Sequence, residues 1–288
     1  MIKINNSYHK WLRNFPFKKI NSHKYSRGQL IVVGGKKEMA GATLLSAEAA
    51  LRTGVGSVKI ICNKKTLPIY SLKFPSLLKV EINTFKEFKK FVIKNKNSSF
   101  LIGPGAGSNQ LTKKKSIFLL KKVKYVILDA DALTSFKKDL NILYKLLDKN
   151  KIITPHIKEF RTIFPKLNKL KNVNLNVINV SKVVNCTIVL KGSTTYISNK
   201  KKLSINTNST KELAVIGSGD VLSGIIASLI GDNKLNSFNA SCAGVWIHSK
   251  VGKKSGVGLI AEDLIKELKP TLKKLYGRFI KQRASKKS

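Results

Sequence analysis

The residues in this chain best suited to do chemistry are Gly217-Ser218-Gly219-Asp220, which stand directly before an apolar run at 221–227. The glycines let the backbone turn tightly and approach a ligand closely. A helix that opens straight after them aims unpaired N–H groups, and the positive end of its dipole, at whatever lies in front. The result is an anion-binding turn with a carboxylate inside it. An acid placed where phosphate binds is electrostatically odd if it only packs. It makes sense if it takes a proton during phosphoryl transfer. The competing reading is structural, because aspartate is also a favoured helix N-cap.

The elements that must position this turn follow a repeating pattern. An apolar run at 29–33 ends in Gly34-Gly35, and small apolar residues with helical spacing follow at 40–51. Strand-like runs recur at 57–62, 78–82, 99–102, 125–128, 151–154 and 187–190, with a helix expected at 85–93. Several of them end in polar or glycine-rich strings: Gly103-Pro104-Gly105-Ala106-Gly107, Asp129-Ala130-Asp131, Pro155-His156 and Lys191-Gly192. Alternating strands and helices imply a mostly parallel sheet covered on both faces. In such sheets ligands sit at the carboxyl ends of the strands, where these residues fall. Residues 194–198 and 202–206 alternate apolar and polar types around Asn199-Lys200, the pattern of a hairpin. Helices are expected from Gly217, through 240–250 and from 262 to about 275, with a frayed basic tail beyond.

With 288 residues and 42% apolar side chains the chain can bury a substantial core. There is no internal repeat or linker, so the expected division is a leader over 1–22, one α/β domain over 23–276 and a basic tail over 277–288. No apolar stretch reaches the roughly 20 residues needed to cross a bilayer, and no secretory signal is evident. Cys62, Cys186 and Cys242 are far apart inside apolar segments and read as reduced core residues of a cytoplasmic protein. The net charge of +40 raises the possibility of a nucleic-acid-binding protein. Arginine, however, occurs only at 13, 27, 52, 161, 278 and 283, and lysine is spread along the whole chain. Base readout favours arginine's planar fork, so a solvated lysine coat, without a specific nucleic-acid site, is the better reading.

Taken in order, Ser26-Arg27-Gly28, Gly41-Ala42, Arg52-Thr-Gly-Val-Gly56, the 103–107 string, Leu128-Asp-Ala-Asp-Ala-Leu133, Thr154-Pro-His-Ile-Lys-Glu-Phe160, Leu190-Lys-Gly192 and Gly217-Ser-Gly-Asp220 form a recognisable series. The chain resembles the ADP-dependent NAD(P)H-hydrate dehydratase family from about His23 to about Leu268. The resemblance implies a ribokinase-like three-layer α/β/α sandwich with a mostly parallel central sheet and a small β-hairpin. It also implies repair of damaged nicotinamide cofactors. The hydroxyl of (6S)-NADHX or (6S)-NADPHX is phosphorylated by ADP, AMP is released, and loss of phosphate and a proton restores NADH or NADPH. A small-molecule vitamin-precursor kinase on the same fold is the alternative enzyme.

By the same resemblance Asp220 is the base, and Gly217, Ser218 and Gly219 offer N–H groups to the transferring phosphate. Lys191, Gly192, Ser193, Thr194 and Thr195 line the ADP site, with ATP the other possible nucleotide. Ala42, Gly105, Gly107 and His156 contact the hydrate, and Glu159 orients Mg²⁺ or caps a helix. Asp129 and Asp131 bind Mg²⁺ or hold loop backbone, a structural role being favoured for at least one of them. The resemblance further implies a homo-oligomer, a tetramer being one option, and a separate epimerase partner, since too few residues precede the domain to form one. Two strings depart from the family pattern: Ala214-Val-Ile-Gly217, whose bulky Ile216 is expected to crowd the anion-binding turn, and Ser209-Thr-Lys-Glu212.

Overall fold

A computed structural model describes residues 2–166, 172–231 and 235–284. The chain opens with β1 (Ile2–Asn5) and short 3-10 turns, then runs through β2 (Gln29–Val33), α1 (Ala40–Thr53), β3 (Ser57–Cys62), α2 (Leu67–Ser71) and β4 (Leu78–Glu81). Next come α3 (Phe85–Lys94), β5 (Ser99–Ile102), α4 (Gln110–Lys122), β6 (Val126–Leu128), α5 (Ala130–Thr134) and α6 (Leu140–Leu146). They are followed by β7 (Lys151–Ile153), α7 (Ile157–Ile163), α8 (Val173–Val184) and β8 (Thr187–Leu190). The hairpin β9 (Thr195–Ser198) and β10 (Lys202–Asn206) precedes α9 (Ser218–Gly231), α10 (Ser237–Ser255) and α11 (Ala261–Ala284).

The strands form one sheet in the order β1-β10-β9-β8-β7-β6-β5-β2-β3-β4. Among the described strands β9 alone runs antiparallel to its neighbours, and the other ladders are parallel. Because the inner strands are buried on both sides, successive residues serve two different cores. Leu30, Val32, Leu101, Ile127, Ile152 and Val189 pack with α1, α9, α10 and α11. Ile31, Val33, Phe100, Ile102, Val126, Leu128, Ile153 and Ile188 pack with α3, α4 and the helices through α8. This is the expected three-layer sandwich. After β4 the chain crosses back to pair β5 with β2, so growth of the sheet reverses direction between these strands. A crevice at such a reversal is the standard ligand position in open α/β sheets.

Two segments differ from expectation. Residues 2–5 join the sheet edge beside β10, and Trp11, Leu12 and Phe15 are buried in the core. The interleaved charges of this stretch hide any periodicity, yet its aromatic side chains have a receptor: Trp11 meets Trp246 edge-on at 5.7 Å. The last helix does not end near Leu275 but continues to Ala284, because Tyr276 and Phe279 both pack on Phe17 at 5.1 Å. Residues 285–288 of the expected tail lie outside the described residues. The three cysteines are free and buried. Among the described residues no helix is long and apolar enough to cross a membrane.

Candidate active site

The carboxyl ends of β5, β6, β7 and β8 converge on the start of α9. Gly217 has φ +84°, and an added Cβ would lie 2.5 Å from Leu45 Cδ1 and 2.9 Å from the Ala261 Cβ. Only glycine meets both demands. The first intrahelical bond is Val221 N–H to Gly217 O at 3.0 Å, so the N–H groups of Gly219 and Asp220 come too early to be used within the helix. From the other side, Ser46 on α1 donates its hydroxyl to Asp220 O at 3.0 Å. Ile216 does not crowd the turn; 98% of its surface is exposed. The segment before it forms a 3-10 turn, Lys211–Leu213, capped by the Thr210 hydroxyl.

Asp220 is the most perturbed acid near the strand ends. Burial pushes its carboxyl up from the usual 3.8 to about 7, and the negative charges of Asp129, Asp131 and Glu159 add to burial against the pull of Lys191. The helix dipole would act the other way, and burial wins. No hydrogen bond ties down the Asp220 carboxylate among the described residues, so its oxygens are available to a reacting group.

Lys191, at the end of β8, donates to Asp129 Oδ1 at 2.8 Å. Its Nζ also lies 3.4 Å from where a Cβ on Gly219 would stand, which puts the cation beside the anion-binding turn. Burial alone would lower the Lys191 pKa, but the Asp129, Glu159 and Asp220 carboxylates outweigh it and hold the ammonium above its ordinary value. Asp129 is fully buried at the end of β6 and also accepts the Ala130 N–H at 2.9 Å. Asp131 Oδ2 accepts the Gly107 N–H at 2.7 Å. Asp131 therefore holds the 103–107 loop, and the Gly107 N–H is spent on it rather than left for a ligand. Thr43 ties the first turn of α1, where half-buried Ala42 sits, to the same loop by donating to Pro104 O at 3.2 Å. Gly105 O in turn accepts the Lys36 N–H at 2.9 Å.

His156 and Glu159 form the capping box of α7. His156 Nδ1 accepts the N–H groups of Lys158 and Glu159, and Glu159 Oε2 accepts the His156 N–H at 2.8 Å. His156 keeps Nε2 for other partners, 3.5 Å from Glu159 Oε1. Burial raises the Glu159 pKa, opposed by Lys191 and by the His156 N–H. Gly192 and Ser193 are exposed in the bend after Lys191, Thr194 is half-buried, and Thr195 opens β9.

At Glu159 one carboxylate oxygen caps the helix and the other faces His156, the capping role that stood as the alternative to orienting Mg²⁺. Among the described residues no three His, Cys, Asp or Glu side chains gather to hold a metal. Mg²⁺ usually keeps several waters and binds through substrate phosphates with one or two carboxylates, a mode that needs no cage from the described residues.

One buried residue was not foreseen. His248, on α10, sits beneath the turn with Nε2 3.1 Å from Ser218 Oγ and 3.0 Å from Ser218 O. Burial depresses its pKa to about 4 against the opposing Ser218 hydrogen bond, so the ring is neutral.

Residues 30–270 match the NAD(P)H-hydrate dehydratase family. The chain is 32% identical over 269 residues to the bifunctional NAD(P)H-hydrate repair enzyme of Thermosynechococcus vestitus, covering 88% of this chain and 51% of that protein. It is 31% identical over 270 residues to the ADP-dependent (S)-NAD(P)H-hydrate dehydratase of Neisseria meningitidis, covering 91% of this chain and 89% of that one. The chain thus spans about half the length of the bifunctional relative. In structure it is similar to a ribokinase-like superfamily protein from Enterococcus faecalis, with a TM-score of 0.79, 22% identity and 96% of each chain covered. The fold is therefore ribokinase-like.

Proposed function

This chain belongs to the NAD(P)H-hydrate dehydratase family, and from that premise we propose that it dehydrates (6S)-NADHX and (6S)-NADPHX at the expense of ADP. The observation that carries the reading is Asp220, a carboxyl tuned to about 7 in the first turn of α9, with the Lys191 cation beside the turn. A base works best when its pKa lies near the operating pH, and few structural acids are held there.

The substrate's 6-hydroxyl cannot leave as hydroxide. Asp220 takes its proton while the hydroxyl oxygen attacks the β-phosphorus of ADP, and the bond to the AMP oxygen breaks. Gly219 and Asp220 N–H groups and the Lys191 ammonium face the transferring phosphoryl group and hold its negative charge in place, the main protein contribution to such a transfer. The ring nitrogen's lone pair then expels phosphate from C6, and loss of the C5 proton restores the dihydronicotinamide. The balance is hydrate plus ADP to NAD(P)H, AMP and phosphate.

In this reading the 103–107 loop and Ala42 lie against the hydrate, His156 offers Nε2 to its phosphates, and residues 192–195 flank the nucleotide. Mg²⁺ bound with the nucleotide would neutralise part of the charge on its phosphates. A separate epimerase supplies the S hydrate. The test is to incubate the purified protein with (6S)-NADHX and ADP and follow the absorbance of regenerated NADH. Appearance of NADH together with stoichiometric AMP is expected. No NADH with either ADP or ATP, where a control dehydratase turns over, refutes the reading.

A further inference from the structure

His248 belongs to none of the motifs that define the site, yet it touches Ser218, the second residue of the anion-binding turn. It lies on α10, 30 positions from Ser218, and reaches it because α10 packs directly against α9. At Gly244 an added Cβ would stand 2.5 Å from Ile226 Cγ1, so the two helices approach more closely than any side chain at 244 allows. The imidazole is buried with only 7% of its surface exposed.

A neutral imidazole has one N–H and one lone pair. A carbonyl oxygen only accepts, so the 3.0 Å contact between His248 Nε2 and Ser218 O requires the proton on Nε2. The same N–H is shared with Ser218 Oγ at 3.1 Å. The carbonyl of Ser218 and the N–H of Gly219 belong to one planar peptide unit and point in opposite directions. Fixing the carbonyl toward the interior therefore fixes the Gly219 N–H toward the site. Within α9 the Ser218 carbonyl also takes the ladder bond that opens the helix, so His248 is a second donor from outside the helix; the Gly219 N–H on the other side of the plane has no partner within the helix.

We propose that His248 is a positioning residue for phosphoryl transfer: by donating Nε2–H to Ser218 O it locks the Ser218–Gly219 peptide plane, and so aims the Gly219 N–H at the transferring phosphoryl group. This rests on the dehydratase reading for its kinetic consequence, though not for the tautomer and bonding it requires.

The test combines two variants with a spectroscopic readout. His248→Leu keeps bulk and removes the donor, while His248→Gln places an amide N–H where Nε2–H stands. With (6S)-NADHX and ADP, His248→Leu is expected to lose about tenfold or more in kcat, with KM for ADP changed about twofold or less. His248→Gln is expected to recover most of the loss. An unchanged kcat in His248→Leu overturns the proposal, as does an equal loss in both variants. ¹⁵N spectra of histidine-labelled protein, assigned by the resonance missing in His248→Gln, should show a neutral Nε2–H ring at neutral pH. An Nδ1–H tautomer or a charged ring overturns the proposal even where His248→Leu fails to fold. If the unaltered protein does not turn over the hydrate, the functional reading fails, and the spectra still decide the bonding.

Discussion

Replacing Asp220 by Asn should make the protein more stable while stopping its chemistry, and the size of the gain follows from the burial of the acid. The carboxyl rises from 3.8 to about 7 on folding, and each pKa unit corresponds to about 1.36 kcal/mol. Ionised Asp220 therefore costs the fold on the order of 4 kcal/mol as a ceiling. The sign follows from proton counting. Between 3.8 and about 7 the folded chain binds more protons at this site than the unfolded chain, so stability falls as pH rises through that window and levels off above it. Asparagine is nearly the same shape and does not titrate. Acids remote from Asp220 are untouched by the substitution and cancel in the difference. Urea unfolding at about pH 4.5 and about pH 8 should show Asp220→Asn gaining little in acid and several kcal/mol at the higher pH, with kcat down by about 10²–10⁴. A variant no more stable than the parent at the higher pH, or one with the same gain at both, would refute the claim that this acid is held in an unfavourable charged state.

The same tuning predicts that kcat rises about tenfold per pH unit below about 7 and is flat above, and that Asp129→Asn moves this limb to lower pH, since it removes a repelling carboxylate and frees Lys191 to act on Asp220. A limb that stays put in a pH–rate profile of the variant would exclude the Asp129 contribution. Lys191→Met leaves the buried Asp129 carboxylate without its counter-charge, so it should cost about 3–5 kcal/mol in urea unfolding and shift the limb to higher pH. Gly217→Ala meets both a left-handed backbone and the Leu45 and Ala261 side chains, and should lower stability by about 2–4 kcal/mol; a thermal melt matching the parent's would contradict the turn geometry.

The parallel strands were legible because burial on both faces turns them into continuous apolar runs, and the ends of those runs mark the site edge. Several helices were not. In α4 the string Gln-Leu-Thr-Lys-Lys-Lys-Ser-Ile-Phe-Leu-Leu-Lys-Lys buries Thr112, Ser116, Leu119 and Leu120, a stripe that includes polar residues and so blurs the apolar period. In α7 the helix is marked by its His156–Glu159 capping box, a signal that reads equally as a ligand set. The same ambiguity affects the acids: Asp131 holds loop backbone and Asp129 pairs with Lys191, 62 positions away, although both sit in the one string Asp129-Ala130-Asp131 at a strand end.

Spacing along the chain tells which residues reach the sheet edge, because each parallel strand delivers its last residue there. It does not tell how their charges balance, which depends on how much water the folded edge excludes. Asp220 is the clearest case. Its place before an apolar helix points to an anion-binding turn, but its standing as a base comes from burial and from carboxylates just after β6, on α5 and on α7. His248 shows the same limit from the other direction: a single histidine inside a helix of small and apolar residues carries no spacing signal, and only the approach of α10 to α9 at Gly244 sets it under Ser218. Chemistry in this fold is thus divided between residues that the strand ends announce and residues that helix packing recruits. The second group bears on how well the first group works, which is why the His248 and Asp220 variants test different parts of one device.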